Sequence, residues 1–453
     1  MDSIYKHFLA GFREASPPRE SNGRRIGAEL KFPLVNDDGT AADLNAVHAL
    51  WRHLQERGWK PVKDSASGEV VGARKPGEQN DTVASCETGY CKPEFSLAHV
   101  SNLFDLTEEL RELREELRPF ADRQRVHFLC YGIQPVTPPS ERLMMKKTRT
   151  SVWDKVFGAN RCVPEEDGDD VCLFTLNAAT HVHVSVSRHE AIPAVNALNG
   201  FSGAQIALTA NSNIWKGRID PDYKCVSEKL WDMWMPDGNR VGVPEKPFKD
   251  LKDYVRTIAG FRPVYVKRDG VPIILKRYKS FASNYRTRPA TGIDPEGQEV
   301  SVMPEGADID LHSTCYWYNA RLSRYYTVEN RTNDQQPPDE LLSVSALTLG
   351  LVSALGECRE ALRPYEWEDL RRAREVACCY GLAGKVGDRS SLIGLSARML
   401  GLAEVGLRRR GLGEEQFLEP LRHRLAAMRC PADEAADLFA HGGIEYLVAA
   451  RTL

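Results

Sequence analysis

The spacing of apolar and polar positions divides the chain into two styles. Up to about residue 335, short alternating runs predict strands interleaved with helices. Residues 1–24 read as a short helix followed by a polar lead-in, and Arg25–Val35 (RIGAELKFPLV) is a strand with partial alternation. Ala41–Arg57 places Leu44, Val47, Leu50 and Leu54 at helical spacing. The polar, glycine-rich stretch 62–82 is expected to be a mobile loop, and 85–100 carries strand material. Residues 102–123 form a strongly charged amphipathic helix, with one face solvated and lined by i,i+4 pairs. Val126–Ile133 is a strand closed by Gln134-Pro135, and 137–172 is irregular. Leu173–Ser187 alternates cleanly near its end, and Arg188–Thr209 is helical. Few long periodic runs occur in 211–310, and Leu311–Arg331 predicts a pair of strands. From Pro338 onward, apolar residues recur every three or four positions, so helices alone are expected.

Strands that follow one another without regular βαβ alternation argue for an antiparallel α+β core with peripheral helices and a C-terminal helical part, rather than a doubly wound fold. The expected division is a catalytic domain over 1–360 and a helical region over 361–453 packed on it. No internal repeat is visible. No G-x-x-x-x-G-K-[ST] or G-x-G-x-x-G motif is present, and Gly381–Gly387 (GLAGKVG) reads as a helix end.

Composition narrows the function classes. The 453 residues include 42% hydrophobic and 27% charged positions, with a formal net charge of −3. No global basic field exists to hold nucleic acid or anionic lipid. No long apolar run or signal-like segment is seen, so a cytoplasmic protein is expected, with no membrane partner. The cysteines, 11 in number, are scattered without a CxxC pair, which fits free thiols in a reducing compartment. A regulatory disulfide from Cys86 or Cys91 stays open.

Candidate chemistry lies on the strand-like segments. Glu29 and Lys31 share one face of the first strand. Glu87 and Glu94 flank CETGYCKPEF. His181 and His183 share one face of THVHVSVS, with Val182, Val184 and Val186 on the other. Glu329 and Arg331 share one face of RYYTVENR. Hard divalent cations take carboxylate oxygens, and an imidazole can join them. Phosphoryl transfer needs such ions on the phosphates and an arginine to hold spreading charge. Each pair alone also fits a solvated or salt-bridged strand face.

These segments together resemble the glutamate–cysteine ligase family and its carboxylate–amine ligase relatives, within the glutamine synthetase-like superfamily. RIGAELKF resembles the family's opening R-I/V-G-x-E-x-E-F strand. Glu87 and Glu94 resemble two acidic metal ligands, and His183 falls where the family presents a Gln or His. Ala207–Arg218 (ALTANSNIWKGR), the segment DYVRTIAGFRPVYVKRDG and Ser323–Asp334 (SRYYTVENRTND) resemble later motifs in family order, so the resemblance covers roughly residues 25–355.

The resemblance implies an enzyme that uses ATP to phosphorylate a carboxylate and then lets an amine displace phosphate. Glu29, Glu94, Glu329 and His183 would hold magnesium around the triphosphate, and Glu87 would support a second metal. Arg331 would stabilise the transferring phosphoryl group, and Arg324 and Asn211 would position nucleotide or substrate. Expected partners are small amino-acid-like acid and amine substrates, and a homodimer is left open.

Two departures stand out. Lys31 occupies the place of the family's second glutamate, and an ammonium cannot ligate magnesium. It could replace a cation, bind a phosphate or substrate carboxylate, or mark a site that no longer turns over; the first group is preferred, which sets Lys31 beside Arg331 among the catalytic residues. Ser227 stands where relatives carry an arginine four residues before the tryptophan matched to Trp231, so the substrates need not be glutamate and cysteine. Trp215, Trp231, Trp234 and Trp317 read as packing around the site mouth, His181 as structural, and Lys146, Lys147 and Arg149 as a solvated loop able to reach phosphate. The competing functions are a phosphotransferase of the same superfamily and a catalytically silent nucleotide- or amino-acid-binding homologue.

Overall fold

The structure is a computed structural model, and it describes residues 2–15, 23–65, 67–77, 80–148, 150–152, 170–234, 240–276, 279–286, 288–386 and 390–453. Its centre is an eight-stranded, wholly antiparallel sheet: β1 (Ile26–Lys31), β2 (Lys60–Lys63), β3 (Val70–Lys75), β4 (Thr82–Cys86), β5 (Pro93–Ser96), β6 (Ala179–Ser185), β7 (Ala320–Leu322) and β8 (Thr327–Asp334). Across the sheet the order is β7-β8-β6-β1-β5-β4-β3-β2. The fold is α+β, as the strand and helix order predicts.

Helices pack around the sheet. They include α1 (Asp2–Glu14), α2 (Leu44–Glu56), α3 (Leu103–Gln124), α4 (Ala191–Gly200), α5 (Ser202–Thr209), α6 (Val226–Trp234), α7 (Ser343–Val352), α8 (Trp367–Tyr380), α9 (Leu392–Arg410) and α10 (Pro431–Arg451). Local chemistry fixes their starts: the Asp43 carboxylate accepts from the Ala46 amide before α2, and the Asn102 side chain accepts from the Asp105 amide before α3. The stripe Leu103, Leu106, Leu110, Leu113, Leu117 and Phe120 of α3 is buried, while Arg111 pairs outward with Glu108 and Glu115. Ile26, Ala28 and Leu30 of β1, and Val182 and Val184 of β6, point into the same core as Leu347 of α7 and Leu395 of α9. That core therefore runs continuously across position 360. No single helix among the described residues is long and apolar enough to cross a membrane.

Because side chains alternate across a strand, burying one face of β1, β6 and β8 delivers Glu29, Lys31, His181, His183, Glu329 and Arg331 to the opposite face. That face floors a cavity of about 960 Å³.

Several boundaries differ from expectation. The stretch 62–82 is not a loop: β2 and β3 pair as a hairpin and β4 begins at Thr82. The pattern misleads there because β2 is an edge strand, exposed or half-buried along its length, and shows no apolar alternation. Residues 126–133 pair as a strand only at His127–Phe128, and the strand of 173–187 begins at Ala179 after a 3-10 turn. The poorly periodic 211–310 holds a small four-stranded sheet formed by 266–268, 271–275, 290–293 and 299–302. Leu311 ends a helix (Gly306–His312) rather than starting a strand. Cys86 donates its thiol to the Tyr90 carbonyl at 3.1 Å, and Cys91 contacts that of Thr175 at 3.8 Å. No disulfide occurs among the described residues.

Candidate active site

Register decides which side chains meet. Arg321 of β7 lies opposite Glu329 of β8, Glu329 opposite His183 of β6, and His183 opposite Gly27 of β1. Gly27 offers no side chain at that crossing. The diagonal neighbour Glu29 fills the space instead, its Oε1 3.0 Å from His183 Nε2. One ligand atom each from Glu29, His183 and Glu329 all lie within 4.8 Å of one another. Two carboxylates and an imidazole form a donor set for a hard divalent cation. The Thr327 hydroxyl hydrogen-bonds His183 Nδ1 at 2.9 Å and orients the ring with Nε2 toward Glu29.

Arginines hold Glu329 in place. Arg321, largely buried, sits with Nε 2.8 Å from Glu329 Oε2, and Arg331 donates to Oε1. The ladder between β8 and β6 slips between Asn330 and Asn333, so Arg331 lies in a bulge while still facing the cavity with Glu329. Its Nη1 also lies 3.3 Å from His181 Nδ1.

A second cluster adjoins the first. Lys31 stands opposite Glu94 in register and is only 2% exposed. Its Nζ lies 2.8 Å from His181 Nδ1, 3.1 Å from Glu94 Oε2 and 3.3 Å from Glu29 Oε2. Glu87 faces Lys92 at 3.7 Å, and Lys92, buried, also donates to the carbonyl and side-chain oxygens of Asn177 at 2.7 and 3.0 Å.

Charge states follow from these neighbours. Burial pushes the Glu29 carboxyl up, but Lys31 and His183 outweigh it and hold it well below the usual range. Burial likewise opposes ionisation of Glu329, and Arg321 and Arg331 overcome it. For Lys31, burial disfavours the charge, yet Glu94, Glu87 and Glu29 raise it above its ordinary value. Burial, helped by the neighbouring carboxylates Glu87 and Glu29, carries Glu94 up to about 7 against the pull of Lys31, and burial with Arg331 and Lys31 lowers His181 to about 3. His183 is disfavoured as a cation by burial but raised overall by Glu29. At neutral pH the His181 ring is therefore neutral and accepts from Lys31.

The cavity brings together Glu29, Glu87, Glu94, His183, Arg324, Glu329 and Arg331, whereas Lys31 lies beneath its floor. Arg324 is exposed at the rim, its guanidinium 4.7 Å above the Tyr325 ring. Asn211 does not reach the cavity. It is wholly buried, and its amide donates to the carbonyls of Cys130 and Gln335 at 3.1 and 2.8 Å, so its polar capacity serves the interior. Ser227 is also internal, its hydroxyl donating to the buried Asp334.

Sequence reasoning missed Arg321, whose partner Glu329 lies on the neighbouring strand, and Lys92, whose partners Glu87 and Asn177 lie in the connections beside the sheet; their burial, invisible in the sequence, is the signal. Lys147 lines the cavity and donates to the Cys86 carbonyl, so it is more than a solvated loop residue. Lys146 is exposed, and Arg149 lies outside the described residues, as do the Trp234 side chain and Gly387. Trp231 lies between Phe174, at 4.3 Å between ring centroids, and Trp317, at 5.6 Å, and all three rings line the cavity. Trp215 packs in the neighbouring core with its indole N–H on Asp220.

Residues 26–450 match the model of glutamate–cysteine ligase family 2. A Rubrobacter xylanophilus protein provisionally named glutamate–cysteine ligase 2-3 is 30% identical over 245 residues, which are 54% of this chain and 55% of its own. One of the same provisional name from Mycolicibacterium smegmatis is 25% identical over 299 residues, 61% of this chain and 75% of its own. The chain thus spans about half the length of the Rubrobacter relative. Among solved structures, a glutamate–cysteine ligase from Francisella tularensis in complex with AMP superposes with a TM-score of 0.55 at 10% identity, covering 95% of this chain and 87% of that one. A bifunctional glutathione synthetase from Pasteurella multocida gives 0.54 at 11% identity, covering 95% and 51%. At such identities the likeness is one of fold.

Proposed function

Because the chain belongs to glutamate–cysteine ligase family 2, we propose that it is an ATP- and magnesium-dependent carboxylate–amine ligase working through an acyl phosphate. The observation that carries the reading is the convergence of Glu29, His183 and Glu329 within 4.8 Å on the cavity floor, with Arg331 beside them. The donor set fits magnesium. Its two carboxylates are held ionised, its imidazole has a neutral form once the proton shared with Glu29 leaves, and its cavity side has room for phosphate oxygens and water.

Magnesium bound there would neutralise charge on the phosphates of ATP. The substrate carboxylate oxygen attacks the γ-phosphorus, the bond to the β-bridging oxygen breaks, and ADP leaves. Arg331 offers its guanidinium to the transferring phosphoryl group, and Arg321 positions Glu329. The amine nitrogen then attacks the acyl carbon, the C–O bond to phosphate breaks, and the nitrogen gives up a proton. Glu87, ionised and half-buried between Lys92 and the cavity, is placed to draw in a cationic amine. The aromatic layer Phe174–Trp231–Trp317 shields one wall from water.

The test incubates the protein with ATP, magnesium and a pool of acid and amine substrates. ADP and free phosphate together with a mass-shifted amide support the ligase. ADP with a phosphorylated product and no free phosphate would instead make it a phosphotransferase. Tight nucleotide binding without ADP would make it a silent binder.

A further inference from the structure

The sheet face carries two groupings of the same chemistry. The first is Glu29, His183 and Glu329. The second surrounds Lys31 Nζ: Glu29 Oε2 at 3.3 Å, Glu94 Oε2 at 3.1 Å and His181 Nδ1 at 2.8 Å. Each has two carboxylates and one imidazole, and Glu29 belongs to both. In the first, the ligand atoms converge on one another. In the second, they converge on an ammonium group.

Charge balance explains what that ammonium does. Glu29, Glu87, Glu94 and Glu329 would repel one another strongly at these separations inside a partly dry cavity. Arg321 and Arg331 pair with Glu329, and Lys92 faces Glu87. Glu94 then depends on Lys31, and Glu29 on Lys31 together with His183; Lys31 grows from β1 directly opposite Glu94 and stays 2% exposed. An ammonium has no lone pair, so it cannot share its place with a metal ion. With carboxylates and an imidazole arrayed around it, it supplies the positive charge that a divalent ion would otherwise bring there.

The geometry points to Lys31 as a built-in cation filling a second carboxylate–imidazole site, so that this face takes a divalent ion only at Glu29, His183 and Glu329. The inference rests on the magnesium site proposed above. It predicts that removing the ammonium opens a second metal site made of Glu29, Glu94 and His181, with Glu87 nearby.

The experiment counts manganese(II) on the full chain without nucleotide, from the electron paramagnetic resonance signal of the free ion, for wild type, Lys31→Gln and Lys31→Glu. Each variant is expected to bind one ion more than the wild type and to show spin coupling between two ions that share Glu29. Equal counts in all three proteins overturn the inference, as do two coupled ions already present in the wild type. A wild-type count of none with a gain of one in the variants would remove the magnesium reading and leave the Lys31 assignment standing. Stability supplies a second readout, because an ion bound only by the folded state raises its melting temperature. Manganese should raise the melting temperature of Lys31→Gln more than that of the wild type; no greater rise overturns the inference.

Discussion

The two halves of the cavity floor use nearly the same residues and end in different states. On the β8 side, Glu329 is held by two arginines whose heads lie along the carboxylate, and the ligand atoms of Glu29, His183 and Glu329 still face one another. On the β5 side, Glu94 and Glu87 each face a buried lysine. An arginine pairs in the plane of the carboxylate through a flat fork and leaves its other side facing Glu29 and His183, whereas an ammonium is a point charge that sits in the middle of its partners. The difference teaches that carboxylates in a row do not by themselves define metal sites. The shape of the neighbouring cation decides whether a row stays open or closes.

The largest effect expected from breaking this contrast is on turnover. Glu329→Gln removes a charge from the open half, and Arg331→Ala removes the group proposed to face the phosphoryl. Each should lower kcat about 100-fold or more with the circular dichroism spectrum unchanged, and Glu329→Gln, which leaves Arg321 without its buried carboxylate partner, should also lower the melting temperature. Near-normal amide formation in both would show that the open half is not the reacting half.

Next in size is a stability difference within the closed half. Lys31→Met leaves Glu29 and Glu94 without their shared cation and should cost about 3 kcal/mol in urea unfolding at pH 8. Lys92→Met should cost only about 1–2 kcal/mol, because half-exposed Glu87 keeps water as a partner and the loss is chiefly the bonds to Asn177. The Lys31→Met loss should shrink toward pH 5.5. Glu94 is raised in the folded state to about 7 from its ordinary 4.5, so its share of stability is full below 4.5 and lost as pH rises through 7. Without Lys31 that carboxyl rises further, and the destabilisation grows with pH. A cost equal for the two lysines, or independent of pH, would mean that Lys31 carries no special electrostatic load.

Much of this contrast was legible in the sequence, and the limits are physical. Alternation in THVHVSVS and RYYTVENR places His183 and Glu329 on one face, and the β1 pattern places Glu29 and Lys31 together, because a period of two is a property of the strand itself. Which strand lies beside which is not. That Lys31 meets Glu94 and His181, rather than solvent or phosphate, depends on β1 lying between β5 and β6. Arg321 and Lys92 were passed over for the same reason. The motif implies a nucleotide- or substrate-positioning role for Asn211, but its amide answers two buried carbonyls and does not reach the cavity. The hairpin at 60–75 escaped notice because an exposed edge strand needs no apolar face.

A smaller effect concerns the rim beside the open half. Arg324 lies over Tyr325 at the cavity mouth, exposed, with no role in holding the floor. Arg324→Ala should raise the KM for ATP about fivefold, the equivalent of roughly 1 kcal/mol for one exposed charge contact to a phosphate, while kcat changes little. A fall in kcat with KM unchanged would move Arg324 from binding into the reaction.

Ser227 gives the finest test, since it stands where the sequence resemblance implies an arginine. Here its hydroxyl donates to Asp334, which also receives the backbone amide of Asn211 at 2.6 Å and the hydroxyl of Ser212 at 2.7 Å. Burial raises the Asp334 carboxyl, and these donors oppose that rise. The network is structural and lies behind the aromatic wall that Trp231 contributes from the same helix, α6. Ser227→Ala removes one of several donors to a buried acid and should cost about 1–2 kcal/mol of stability. It should leave the KM for both substrates unchanged, because the serine touches nothing in the cavity. If KM for the acid substrate rises instead, this position still serves substrate binding as an arginine would, and α6 must move on binding to bring it there.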